Sequence, residues 1–569
     1  MERGRSACAF YALARIRKFA AKAACGPRGE QGKKSSLLDY YQETAKKNQK
    51  GTGTRNMDGQ VRELSMMQKI VTDDSVTLYW DKPEKLPEGA AYQIVCNGKE
   101  AGTTDRTHFT IDGLSAETEY TVEVRLLAGA EKEGRTCTAS ETLVIKTGRV
   151  KRLLDITKAP YSAVGDGQTM NTEAIQRAID DCTETDAVYF PAGIFMTGAL
   201  RLHSDMELYL EKDAVLQGTD RPEDYLPRIK SRFEGTEMEC YSSLLNMGEL
   251  DHESGYNCRN VVIRGKGTIA SGGVTLAKRV IVSERERLKE YLASLGDKIK
   301  ECESKDTIPG RVRPRLINIS NSQNVTISGV TLKNGASWNV HMIYSDHVVT
   351  NDCTFYSEGV WNGDGWDPDS STNCTIFGCT FFTEDDCVAI KSGKNPEGNI
   401  INRPSKGIRI FDCVSSFGHG IIIGSEISGG IEDIKIWDCD VKSALCGIEI
   451  KGTKKRGGYV RDVHIRDCKA AKIMFHSVGY NDDGIPAKTP PVFENCTFEN
   501  IEIGGEILEV DRTWSHDTAV IVHGFEEPGY AAKNVVFRNI TIVGRGRNIE
   551  QQFSLKNCEG ITLENIRCL

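Results

Sequence analysis

One short pattern returns between residues 261 and 566: alternating β-branched residues, a polar or glycine turn, then a second short strand. It reads Val348-Val-Thr-Asn-Asp-Cys-Thr-Phe355, Cys374-Thr-Ile-Phe-Gly-Cys-Thr-Phe381, Ile408-Arg-Ile-Phe-Asp-Cys413, Ile434-Lys-Ile-Trp-Asp-Cys439 and Val463-His-Ile-Arg-Asp-Cys468. Further copies begin at Val261, Val325, Val535 and Ile561. A strand pair that recurs this often, with almost no helix in the period, predicts a solenoid of stacked coils, a parallel β-helix. No coil buries its inner face alone; stacked coils share a core of Val, Ile, Leu and Cys. The chain length of 569 residues agrees, because single compact cores seldom exceed roughly 250–300 residues.

The 19 cysteines are read through the same repeat. Their number is odd and no CxxC pair suggests structural zinc. Many follow Asp or Asn, as in Asp352-Cys353, Asn373-Cys374, Asp412-Cys413, Asp438-Cys439, Asp467-Cys468, Asn495-Cys496 and Asn557-Cys558. A reduced cysteine is a small buried hydrophobe, so these are expected to mark one repeat position rather than disulfides. Reduced thiols, with a basic N-terminus whose apolar run Ala7–Ala14 is cut short by Arg15 and Arg17, favour a cytoplasmic location over a secreted or periplasmic one. No stretch approaches the roughly 20 apolar residues of a membrane span. The net charge of −8 gives no overall basic footprint for nucleic acid. Neither nucleic acid nor a membrane is expected as a partner.

Ahead of the solenoid, residues 1–66 read as a poorly ordered extension, polar and lysine-rich from 26 to 56. Residues 67–148 read as a small β-sandwich. Short alternating runs such as Val76–Trp80, Tyr92–Val95 and Tyr120–Val124 are joined by turn signals such as Asn97-Gly98. Leu114-Ser-Ala-Glu-Thr-Glu-Tyr120 has the form of a tyrosine corner, and with Trp80 the segment resembles a fibronectin type III domain. Residues 150–569 form the solenoid. Asn171 is placed as the cap of a helix over Ala174–Cys182 that closes its N-terminal end. A charged, helix-forming insertion occupies 270–310, between the strands starting at Val261 and Val325.

Carboxylates gather in Trp361-Asn-Gly-Asp364-Gly-Trp-Asp367-Pro-Asp369 and Thr383-Glu-Asp385-Asp386-Cys387-Val-Ala-Ile-Lys391. Asp364 and Asp385 are about one coil apart, and adjacent coils lie about 4.8 Å apart, so Asp364 is expected beside Asp385 and Asp386. Crowded carboxylates have their pKa values pushed apart, as an acid and a base at one site require. A plain acidic turn or a calcium site fits the isolated motif equally well. The next coil brings Gly418-His419-Gly420 and the one after it Gly447-Ile-Glu449-Ile-Lys451-Gly, followed by Lys454, Lys455 and Arg456. Acid, base and cation on consecutive coils describe a groove.

These motifs, in this order, resemble glycoside hydrolase family 28, the polygalacturonases, whose pattern is Asn-x-Asp, Asp-Asp, Gly-His-Gly and Arg-Ile-Lys. They stand here as Asn362-Gly-Asp364, Asp385-Asp386, Gly418-His419-Gly420 and Glu449-Ile-Lys451. A fibronectin-like module before such a β-helix is similar to bacterial exo-acting members. The resemblance implies an all-β, right-handed parallel β-helix of the pectin lyase type. It also implies inverting hydrolysis of α-1,4-galacturonosyl bonds in pectic carbohydrate, with no cofactor and no metal. By the same resemblance Asp385 is the general acid, Asp364 and Asp386 activate water, and His419 supports the acid. Lys451, Asn362, Trp338, His341 and Arg456 would contact substrate. Glu449 departs from the family's arginine, which breaks the usual basic pair and keeps rhamnogalacturonan hydrolase open as the alternative substrate class. A pectate lyase would need calcium and an arginine base. A non-catalytic glycan-binding solenoid would not need the carboxylate cluster.

Overall fold

A computed structural model of the protein describes residues 67–129, 134, 136–302, 304–479, 484–504 and 518–569. The expected extension over 1–66 lies outside the described residues. The chain divides into two compact units between Arg152 and Leu153.

The smaller unit has a three-stranded antiparallel sheet (Gln68–Val71, Ser75–Tyr79, His108–Asp112) and a four-stranded one (Lys99–Thr104, Ala91–Cys96, Glu119–Ala128, Thr136–Lys146). Period-2 alternation along these strands sends Val76, Leu78, Ile94, Val122, Val124 and Leu126 into one core with Trp80 and Tyr92. The Ser115 N–H donates to the Tyr120 hydroxyl at 2.8 Å, which is the bond that defines a tyrosine corner.

The larger unit is a parallel β-helix. A 24-stranded sheet carries both strands of the repeat and an 11-stranded sheet forms a further face. The first strands Ser322–Ser328, Asp346–Asn351, Thr375–Phe377, Ser405–Phe411, Ile431–Trp437 and Tyr459–Arg466 pair in parallel, each with the next. Identical faces therefore stack: Phe377, Phe411 and Trp437 lie face to face with ring centroids 4.9 and 4.5 Å apart. At the corner after this strand, Asp352, Asp412, Asp438 and Asp467 take φ between 49° and 54°. Asp and Asn tolerate this left-handed conformation better than other non-glycine residues.

That corner accounts for five of the cysteines, and a second corner replaces the expectation of a single position. Cys353, Cys379, Cys413, Cys439 and Cys468 follow it and are buried in the core, and the Cys353 N–H donates to Cys379 Sγ at 3.4 Å. Cys374 and Cys496 follow left-handed Asn373 and Asn495 at a different corner, and Cys496 pairs with Val463, which follows left-handed Asp462. One dipeptide thus marks two corners, because each needs a left-handed residue followed by a small buried one.

The helix Thr172–Asp180 buries Ile175, Ala178 and Ile179 in the solenoid core. Asn171 precedes it, but its side chain does not cap it. It accepts from the Val164 N–H at 2.7 Å and donates to the Thr169 carbonyl at 2.7 Å, fastening the entry loop. The helices Gly273–Arg287, Lys289–Ser294 and Thr307–Gly310 interrupt the solenoid without replacing a coil, since Val261 pairs directly with Val325 on either side of them.

Candidate active site

The 11-stranded sheet aligns the chemistry. Trp366 pairs with Val388 and Val388 with Ile421. Two residues before each of these stand Asp364, Asp386 and His419, so the three occupy equivalent places on successive coils. The coils close up tightly here. A Cβ at Gly418 (φ 123°) would lie 2.8 Å from the Asp385 carbonyl, and one at Gly420 (φ 111°) 2.1 Å from the Gly447 carbonyl. His419 therefore needs glycine on both sides. Its Nδ1 lies 2.9 Å from Asp385 Oδ1 and 3.1 Å from Asp386 Oδ1. Burial works against the imidazolium, but the two carboxylates outweigh it and hold the His419 pKa at about 10. Asp386 also lies 3.7 Å from Lys451 Nζ.

Beside this group lies a second, fully buried one. Lys391 Nζ is 3.1 Å from Asp364 Oδ2, 3.5 Å from Asp367 Oδ1 and 4.0 Å from Glu426 Oε2, and it rests 4.8 Å above the Trp338 ring. Burial opposes the ammonium, and the carboxylates overcome it, raising the Lys391 pKa well above the usual lysine value. Burial pushes Asp364 up to about 8; Lys391 pulls it down while Asp385 and Asp386 push it further up. Burial also raises Asp367 well above the carboxylate range. One cation thus serves three carboxyls, of which burial raises Asp364 and Asp367. Below them, Arg232 Nη1 reaches Asp369 Oδ1 at 2.7 Å and His341 Nε2 lies 3.3 Å from Asp369 Oδ2. Burial raises the Asp369 carboxyl, but Arg232 and His341 outweigh it and hold it at about 2. Burial drives His341 down to about 3, so its ring is neutral.

A hairpin and the helical insertion pack beside this line. The hairpin Ile229–Phe233 and Thr236–Cys240 lays Phe233 on Trp338 at 4.5 Å, and Ser231 Oγ donates to Asn318 Oδ1 at 2.8 Å. The helical insertion joins it through Glu284, which pairs with Arg228, and through Gly310, whose carbonyl accepts from Arg313 Nε at 2.8 Å. Arg313 in turn lies 4.4 Å over the Trp361 ring and donates to Asn362 Oδ1 at 2.7 Å.

Residues 246–562 match the family model described as glycosyl hydrolases family 28. The chain belongs to glycosyl hydrolases family 28. Residues 159–209 separately match a model described as rhamnogalacturonase A/epimerase, pectate lyase-like. The chain is 28% identical over 549 residues to an exo-poly-alpha-D-galacturonosidase of Dickeya chrysanthemi, covering 87% of this chain and 89% of that protein. Its fold is similar to a family 28 exopolygalacturonase of Yersinia enterocolitica, with a TM-score of 0.73, 23% identity, and coverage of 89% and 96%. It is also similar to a hyperthermoactive exopolygalacturonase of Thermotoga maritima, with a TM-score of 0.59, 25% identity, and coverage of 73% and 91%.

Within this family-28 chain, the structure brings Asp364, Asp385, Asp386, His419 and Lys451 together. It places Asn362 two residues before Asp364, with its Oδ1 held by Arg313. Three of the residues named as substrate contacts are buried. Trp338 is 2% exposed, packed between Phe233 and Lys391. His341 is completely buried against Asp369. Arg456 is 1% exposed, with its guanidinium on Asn395 Oδ1 at 2.6 Å and the Ser425 carbonyl at 3.2 Å. Each supports the groove from beneath. Lys391, Asp367, Glu426 and His476 lie at the site without having been assigned to it. Lys391 directly follows the strand Val388–Ile390, five residues after Asp386, but its partners stand on other coils and no local string names them. One ligand atom each from Asp385, Asp386 and His419 lie within 4.8 Å of one another. A cation there would compete with the His419 proton that the two aspartates already share.

Proposed function

We propose that this family-28 hydrolase inverts galacturonosyl linkages of pectic chains and works from a chain end. The observation that carries the reading is the packing of Asp364, Asp385, Asp386 and His419 on successive coils. Binding alone needs no carboxylates crowded at such electrostatic cost, whereas general acid–base hydrolysis does. Asp385 takes up the proton that His419 holds 2.9 Å away and delivers it to the glycosidic oxygen, leaving the imidazole neutral. Asp364 and Asp386, level on adjacent coils, take the water on the opposite face. The raised pKa of Asp364 makes it the stronger base once ionised. His419, donating to both Asp385 and Asp386, fixes their orientation. Lys451 supplies positive charge at the edge of the cluster.

The end-wise mode is supported by the hairpin and helical insertion that pack beside the acid–base coils. The protein is expected to release monomer or dimer from polygalacturonate while viscosity falls slowly. A rapid viscosity drop at low conversion contradicts end-wise action. Alternation of galacturonate with a neutral sugar in the substrate is the second reading, favoured by Glu449. Buried cysteines stacked along the repeat, such as Cys353 against Cys379, support a reducing, cytoplasmic setting, which disulfides in the native protein would contradict.

A further inference from the structure

Between the hairpin strand Thr236–Cys240 and the helical insertion lies a cavity of about 670 Å³ that none of the acid–base residues lines. Small-molecule sites have volumes of roughly 300–1,000 Å³ and walls that are mostly apolar, with a few polar groups. Here Leu288, Tyr291 and Leu295 of the insertion form one wall, and Ile308 and Val312 another. Tyr291 is 53% exposed, so an occupant would take apolar area out of water.

The polar part of the lining is mainly cationic. Arg228, Arg287, Lys298 and Arg311 line the cavity, and Glu239 is the one lining carboxylate among the described residues. Behind them, the completely buried Glu284 serves two guanidiniums, those of Arg228 and, at 2.7 Å, Arg287. Arg311 pairs with Glu234 at 2.9 Å. Among these described groups, four cations meet three carboxylates. The described lining contains no Ser, Thr, Asn or Gln. A sugar carries hydroxyls on all sides and needs such partners when it leaves water. An anion with an apolar body needs only a cationic contact at one end and apolar walls around the rest.

We propose that this cavity is a binding site, separate from the acid–base groove, for a small organic carboxylate with an apolar or aromatic body. Arg287 and Lys298 hold the carboxylate, and the walls around Tyr291 take the body. The site stands independently of the pectic-hydrolase reading.

Isothermal titration of the full chain with three probes tests this: cinnamate, cinnamyl alcohol (the same body without the charge) and galacturonate (the charge without the apolar body). Cinnamate is expected to bind saturably with a Kd of about 1 mM or tighter, about tenfold or more tighter than the alcohol, and galacturonate is expected not to displace it. The double variant Arg287→Ala, Lys298→Ala leaves Arg228 on Glu284. With folding checked by circular dichroism, it should weaken cinnamate by about tenfold or more. Absence of saturable cinnamate binding overturns the site, as does equal binding of the alcohol or an unchanged affinity in the folded variant. Displacement by galacturonate at comparable concentration overturns the apolar-body assignment. If the double variant does not fold, Lys298→Glu, at an exposed position, carries the same test.

Discussion

At the scale of single residues, the site is a set of charges that hold one another in place. His419 carries a proton because Asp385 and Asp386 face its Nδ1. Its pKa, followed by NMR, is expected at about 10 in the wild type. Replacing both aspartates by asparagine removes the two raising influences and leaves burial, so the pKa should fall to about 6.5 or below. A pKa unchanged by the double substitution would show that something else holds the proton. Lys391 has the opposite task, keeping two buried carboxyls tolerable. Lys391→Met leaves Asp364 and Asp367 without their cation and should cost about 3–5 kcal/mol in denaturant unfolding. It should also move the rising limb of the pH–rate profile to higher pH, because the influence lowering the Asp364 pKa is gone. Asp385, Asp386 and His419 were legible as motifs because each stands in a short unusual string. Lys391, Asp367 and His476 were not, because their partners are on other coils and the coil length varies: 22 residues from Trp366 to Val388, then 33 to Ile421. Burial of Trp338, His341 and Arg456 was equally hidden, since the hairpin and loops that cover or engage them come from distant parts of the chain.

At the scale of elements, the stacking of like on like sets the register. The run of Phe377, Phe411 and Trp437 joins three coils at the position where each strand ends, just before its left-handed corner. Phe411→Ala removes the middle ring and should destabilise the larger unit by about 3–5 kcal/mol. A loss below about 1 kcal/mol would mean the stack only accompanies the register. The strands were readable because β-branched alternation is a local property. The two cysteine corners merged in the sequence because both follow an Asx residue; only pairing separates Cys374 and Cys496 from Cys353 and its column. Asn171 has the right residue type and position for a helix cap, yet its amide is engaged by the chain before it. Tertiary hydrogen bonds outcompeted the local one.

At the scale of the whole molecule, the two units have separate hydrophobic cores. Scanning calorimetry should resolve two unfolding transitions, and Trp80→Ala should lower only the one that belongs to the smaller unit. A single transition shifted by that substitution would contradict independent cores. The larger unit stacks its coils so that residues far apart in sequence meet on one face, proposed above as an inverting acid–base site with Asp385 as the proton donor. The most direct measurement is the release of reducing ends from galacturonate-containing pectic substrate by Asp385→Asn beside the wild type, with both proteins folded. Turnover should fall by about 10²–10⁴-fold. Retention of activity within a few-fold of wild type would contradict the account.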